Sequence, residues 1–172
     1  MPTNKRVSFW SHLKAIVALP FMVIIVIPFL LNHLYEPNIS SKVGLSYIGM
    51  LGAGIFIMIP GLFLFINALI LFHKIGNGTL APWNPTKKLV VKHLYRHTRN
   101  PMISGVLCLL LAESLFYDSL AIMIWFLTFF SITTLFFILF EEPDLEKRFG
   151  EEYKIYKENV PRWIPRIRGW KE

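Results

Sequence analysis

A single cysteine, Cys108, stands in a chain of 172 residues. That excludes an intrachain disulfide and any cysteine-rich metal site. Acidic side chains are also scarce: 11 Asp and Glu against 18 Lys and Arg leave a formal net charge of +7. Internal repeats, low-complexity tracts and a Gly-x-Gly-x-x-Gly fingerprint are absent, so neither a repeat architecture nor a Rossmann-type nucleotide site is encoded. What the chain has instead is apolar bulk. Hydrophobic residues make up 54% of it and aromatics 15%, and the mean hydropathy of +0.49 is too high for an ordinary cytosolic domain.

The apolar residues gather in four runs, 13–31, 44–72, 102–116 and 120–140. A helix needs about 20 apolar residues to cross ~30 Å of hydrocarbon, and the first, second and fourth runs meet that length. Pro20 and Pro28 are expected to kink the first run. The second is long enough that it must tilt, bend at Pro60 or protrude. The third is short and spans only as one arm of a helical hairpin closed by Tyr117-Asp118-Ser119. These runs predict an all-α, polytopic membrane helical bundle of about four transmembrane helices, forming one domain over residues 1–172.

Orientation follows from the cations. Lys5, Arg6 and Lys14 precede the first run, while Lys74, Lys87, Lys88, Lys92, Arg96 and Arg99 lie between the second and third. A further set extends from Lys147 to Lys171. The loop after the first run offers only Lys42, and the hairpin turn offers Asp118. The positive-inside rule then places both termini and the central connection in the cytoplasm, in agreement with an even number of spans. The first run is followed by His33-Leu34-Tyr35-Glu36 with no small-residue cleavage pattern, and reads as a retained span. Cations that flank membrane segments meet anionic lipid headgroups rather than nucleic acid. The short chain favours a bacterial inner membrane over the endoplasmic reticulum.

Residues able to carry chemistry concentrate at two poles. The first is KKLVVKHLYRHTRNPMISG, residues 87–105, where a basic segment enters the third run. Asn100 as N-cap and Pro101 as first helical residue predict a helix start there. Its unpaired N–H groups and positive dipole end, with Arg96 and Arg99 alongside, form an anion-binding corner. The same arginines would equally suit lipid phosphates. Gly105, one turn further, permits close approach of a ligand or of another helix. His93 and His97 share a face if their segment is helical, but no nearby carboxylate or cysteine completes a metal set.

The second pole is Glu141-Glu142-Pro143-Asp144-Leu145, at the end of the fourth run. Carboxylates at a helix C-terminus oppose its dipole. Pro143, Asp144 and Glu146 describe the start of a new cytosolic helix over 143–158, with Leu145, Phe149, Tyr153 and Tyr156 in one amphipathic stripe. Such a helix should lie on the bilayer or fold over the hairpin. Glu141, at the membrane boundary, suits a cationic ligand group or a pairing with Arg99. If runs three and four form a hairpin, the two poles meet at one membrane face.

Taken in order, GNGTLAPWNPTKKLVV, LYRHTRNPMISG, a hydrophobic hairpin, EEPDLEKRFGEEYKIY and VPRWIPR make residues 76–166 resemble the isoprenylcysteine carboxyl methyltransferase-like family of integral membrane methyltransferases, a superfamily that includes phospholipid N-methyltransferases. Arg99, Pro101 and Gly105 match the family's Arg-His-Pro-x-Tyr-x-Gly motif, with Asn100 in place of His and Ile103 in place of Tyr. Glu141, Glu142 and Leu145 match its Glu-Glu-x-x-Leu motif. Upstream, Tyr95 and Arg96 match, while His93 stands where Gly is common.

The resemblance implies S-adenosylmethionine as cofactor, bound at the cytosolic face by Tyr95, Arg96, Asn100, Pro101, Gly105, Glu142 and Tyr153. Arg99 or Arg96 would take its carboxylate, Glu141 or Glu142 its ammonium, and the tyrosines its adenine or ribose. Among catalytic residues, Arg99 or Arg162 would orient a carboxylate acceptor, and Glu141 or His97 would serve an amine or thiol as base. The implied acceptor is an isoprenylcysteine-type carboxylate or another lipidic molecule entering between helices. An NADPH-dependent membrane reductase of related architecture and a non-catalytic membrane protein are the rival readings, separated by which cofactor binds.

Overall fold

The computed structural model describes residues 19–35, 45–75, 89 and 91–171. The cations at Lys5, Arg6 and Lys14, and residues 76–88 with Trp83, Lys87 and Lys88, fall outside the described residues. Six helices follow in order: α1 (Leu19–Tyr35), α2 (Leu45–Ile75), α3 (Pro101–Phe116), α4 (Leu120–Phe136), α5 (Glu142–Phe149) and α6 (Glu151–Asn159). No strand occurs among the described residues. The stretches Ser46–Leu71 and Leu120–Phe149 are long and apolar enough to cross a membrane, and α1 and α3 are shorter apolar helices. Phe56, Ile59 and Phe63 of α2 and Ile132 and Leu135 of α4 point outward. An apolar surface that continuous belongs against hydrocarbon. The fold is an all-α membrane bundle.

α3 lies at its centre. Val106, Leu107 and Leu110 pack with Val23 of α1 and Phe129 of α4. α2 crosses α3 at two glycines. A Cβ on Gly105 would come within 2.8 Å of the Phe65 nitrogen and 2.9 Å of the Gly61 oxygen. A Cβ on Gly61 would stand 2.8 Å from that of Cys108. Backbone meets backbone there, the small-residue packing that substitutes for hydrophobic drive in a bilayer. Of the two uses open to Gly105, close approach to another helix is the one its surroundings display.

The prolines of α1 act through hydrogen bonding. A π turn spans Met22–Val26, with the Ile27 N–H donating to the Met22 carbonyl. Pro28 has no N–H to offer to what precedes it. The Val23 carbonyl, left over by this arrangement, accepts the Trp125 indole N–H of α4 at 3.1 Å. An irregularity encoded by proline thus becomes the polar link between α1 and α4.

The hairpin turn expected at Tyr117-Asp118-Ser119 is present. Asp118 takes φ 44, which a short polar side chain tolerates. The Ser119 hydroxyl caps α4 by accepting the Ile122 N–H at 3.2 Å.

Two expectations need correction. Pro143 does not begin a separate helix: a π turn over Phe137–Glu141 carries α4 directly into α5. The wider turn accommodates a ring that would clash with the carbonyl of a regular preceding turn. The helix expected over 143–158 is instead broken at Gly150, whose φ of 57 and ψ of −131 favour glycine. The amphipathic stripe survives the break, but protein covers it rather than lipid. Tyr153, Tyr156 and Val160 form a small core with Leu89, Val91, Leu145, Phe149 and Trp170.

Gly105→Val should lower stability by about 1–3 kcal/mol through overpacking, read as a fall in the thermal midpoint of the detergent-solubilised protein. Gly52→Ala, with open space around its Cβ position, should be neutral or slightly stabilising. Equal behaviour of the two variants would refute the close crossing.

Candidate functional site

The two poles do meet, around one carboxylate. Glu142 lies in the first turn of α5 and its side chain is only 5% exposed. Its Oε1 accepts Arg99 Nη1 at 2.8 Å, Arg162 Nε at 2.7 Å and Arg162 Nη2 at 2.6 Å. Its Oε2 faces Lys157 Nζ at 3.1 Å. Lys157 also reaches Glu146 Oε1 at 2.7 Å, a contact that raises the lysine's pKa ahead of any contribution from Glu142. Three cations against two carboxylates leave this cluster net positive.

Each cation arrives from a different segment. Arg99 precedes α3, Lys157 is on α6, and Arg162 follows α6. Short polar side chains align these segments. Thr98, fully buried, donates from Oγ1 to the Arg162 carbonyl at 2.9 Å. Ser104 Oγ donates to the Trp163 carbonyl at 2.7 Å, and the Arg99 N–H to the Pro161 carbonyl at 2.9 Å. These bonds lay the chain after α6 along the segment before α3.

The tyrosines surround the cluster. Burial raises the pKa of Tyr153, an effect opposed by a hydrogen bond from Arg99. Burial, seconded by the charge of Glu141, raises that of Tyr95. Burial likewise raises that of Tyr156, whose hydroxyl donates to the Tyr95 carbonyl at 2.8 Å. All three phenols stay protonated at neutral pH and present O–H donors.

Glu141 differs from its neighbour. It ends the π turn, is half-buried, and has no hydrogen bond or ion pair among the described residues. Arg99 Nε is a buried donor likewise without a partner. Among the described residues the site therefore holds one saturated carboxylate, one uncommitted carboxylate, and an orphaned guanidinium N–H.

Arg96 lies outside this cluster. Its Nε donates to the Trp170 carbonyl at 2.8 Å, and its side chain lines a cavity of about 430 Å³ with Asn67, Ile70 and Leu71 of α2 and His93, Leu94 and His97. His93 and His97 do not share a helical face as i and i+4. The segment is a 3₁₀ turn, His93–Arg96, entered with His93 at φ 51. His97 Nδ1 lies 2.7 Å from the Arg166 carbonyl. No group of three or more His, Cys, Asp or Glu suited to a metal occurs among the described residues.

Asn100 occupies the N-cap position of α3, but its side chain makes no capping bond. Pro101 is buried at the first helical residue. Gly105 faces α2. At this helix start Arg99 is paired with Glu142 through Nη1, while its Nε has no partner among the described residues. Sequence reasoning missed Lys157, Thr98 and Ser104. Lys157 is one of several charges on its helix, and nothing in its spacing points to Glu142. Thr98, a lone hydroxyl between His97 and Arg99, carried the better signal.

The family model for phospholipid methyltransferases matches residues 50–152, more than half of the chain. No curated protein and no solved structure gives a significant match. The matched stretch contains Arg99, Glu141 and Glu142, while Lys157 and Arg162 lie beyond it. A membrane helical bundle that brings those matched charges together at one end of a hairpin, with this family match across its central helices, belongs to the phospholipid methyltransferase family.

Proposed function

We propose that the protein transfers a methyl group from S-adenosylmethionine to a lipidic acceptor at the cytosolic face of a bacterial inner membrane, within one domain. The observation that carries this reading is the pairing of a saturated Glu142 with an uncommitted Glu141 beside Tyr95. S-adenosylmethionine combines a carboxylate, an ammonium group and an adenine ring with an electrophilic methyl on a sulfonium. The residues present fit such a group. Glu141 offers a carboxylate to a cation and the orphaned Arg99 Nε a donor to an anion, while Arg96 lines a separate cavity of about 430 Å³ outside this cluster. Tyr95 supplies a ring face and a hydroxyl donor, and the buried Tyr153 a hydroxyl donor.

In this reading Glu142 is a positioning residue. It holds Arg99 and Arg162 in place and keeps the chain after α6 against α3. In-line methyl transfer depends on alignment, so rigid support is the main contribution the protein makes. The charge distribution also bears on the acceptor. Arg99 and Arg162 already share a carboxylate, which disfavours them as the clamp for an acceptor carboxylate of the isoprenylcysteine type. Glu141, or His97 where Glu141 is held by the cofactor's ammonium group, is left to take a proton from an amine before its lone pair attacks. A phospholipid amine is therefore the favoured acceptor, with the isoprenylcysteine-type carboxylate second.

Glu141→Gln should leave folding intact and weaken S-adenosylhomocysteine binding about tenfold or more, the loss of one charged hydrogen-bond partner. The measurement is calorimetric titration of the solubilised protein, with NADPH in parallel. Unchanged affinity would remove Glu141 from the site, and NADPH binding in place of S-adenosylhomocysteine would overturn the reading.

Glu142→Ala should behave differently. It strands Arg99 and Arg162, leaving Lys157 to Glu146 alone, and should destabilise the fold by about 3–5 kcal/mol, seen as a lowered thermal midpoint in the absence of any ligand. A Glu142→Ala protein as stable as the parent would show that the cluster does not hold the segments together.

A further inference from the structure

The chain after α6 carries a surface that the site does not use. Its backbone is pinned along the segment before α3. The Arg99 N–H donates to the Pro161 carbonyl at 2.9 Å, the Arg166 N–H to the His97 carbonyl at 2.9 Å, and the Trp170 N–H to the Arg96 carbonyl at 2.8 Å. The Arg166 guanidinium turns back to the Asn159 carbonyl. Held in this way, the segment leaves Ile164 81% and Ile167 98% exposed. Arg166 and Arg168, beside them, are exposed as well. A segment fixed at three backbone points does not leave two large aliphatic side chains outward for want of order.

Its depth accounts for them. The Trp163 ring lies 6.0 Å from Phe130 and 5.5 Å from Phe137, both on the α4 arm of the hairpin. Its carbonyl is held by Ser104, in the first turn of α3. α3 has 16 residues, which rise only ~24 Å against ~30 Å of hydrocarbon. α4 continues past it through the π turn into α5. The segment therefore fills the step left by the shorter arm, level with the last turns of the longer one. Aliphatic side chains at that level, alternating with arginines, match the boundary between acyl chains and phosphates.

We infer that residues 161–171 form an anionic-lipid docking strap. Ile164 and Ile167 enter the acyl boundary, and Arg166 and Arg168 meet the phosphates of an anionic phospholipid. The strap also carries Arg162, so the lipids that hold it in place support one of the cations on Glu142. The inference rests on the fold and on charge complementarity, and stands whatever the acceptor proves to be.

The test uses the full chain carrying Cys108→Ala, with Ile167→Cys or, separately, Ile164→Cys labelled with an environment-sensitive fluorophore, in nanodiscs holding one copy. With phosphatidylglycerol present, lipids brominated near the glycerol end should quench the label at least about twofold more than lipids brominated near the chain ends, as for an interfacial segment, and aqueous iodide should have little effect. Adding Arg168→Gln should lower the ratio of docked to undocked strap roughly fivefold, and phosphatidylcholine alone should move it the same way. Free access of iodide in anionic discs would overturn the proposal, as would quenching indifferent to lipid charge. Protection that arises only in discs holding two copies would assign the surface to a second chain and equally overturn it.

Discussion

Everything at the charged end of this bundle depends on one buried carboxylate. Glu142 joins three segments that the sequence separates: the residues before α3, the helix α6, and the chain after it. A charge at 5% exposure is costly to desolvate. Here it is offset by four short contacts from three cations, so the carboxylate is never left uncompensated. Removing any one partner changes the balance for the rest. Such an arrangement is a poor source of net stability but a strong specifier of geometry, because few other placements of the chain would satisfy all of its members.

The cluster sits where it does because the hairpin arms differ in length. α3 stops short while α4 runs on through a π turn into α5. The step between them provides a sheltered shelf, low enough in dielectric to strengthen ion pairs. Thr98 and Ser104 fasten the chain after α6 onto that shelf. The glycine crossing of α2 on α3 keeps the central helix upright beneath it. Fold and site are thus coupled through ordinary packing rather than through the motif residues alone.

Within the site, adjacent glutamates have diverged in role. Glu142 is committed to structure, whereas Glu141, facing Tyr95, retains its hydrogen-bonding capacity. One carboxylate organises the arginines; the other has no side-chain partner among the described residues.

Much of this was legible in the amino-acid sequence. Long apolar runs determined the helices, because backbone groups in hydrocarbon have no alternative to internal hydrogen bonding. Pro101 marked the start of α3 and Tyr117-Asp118-Ser119 the hairpin turn, both through local conformational preference. The two charged poles were identifiable because charge at a membrane boundary needs a reason. Tertiary structure alone decided how those charges pair. Arg99, Lys157 and Arg162 are drawn to Glu142 by long-range contacts that no local spacing encodes. The same holds for Gly105, open by sequence to a ligand or to a helix: only the position of Gly61 and Phe65 on α2 decides that a helix fills the space. Local chemistry determines which elements form, and the distances between distant residues, set by packing, determine what their side chains do.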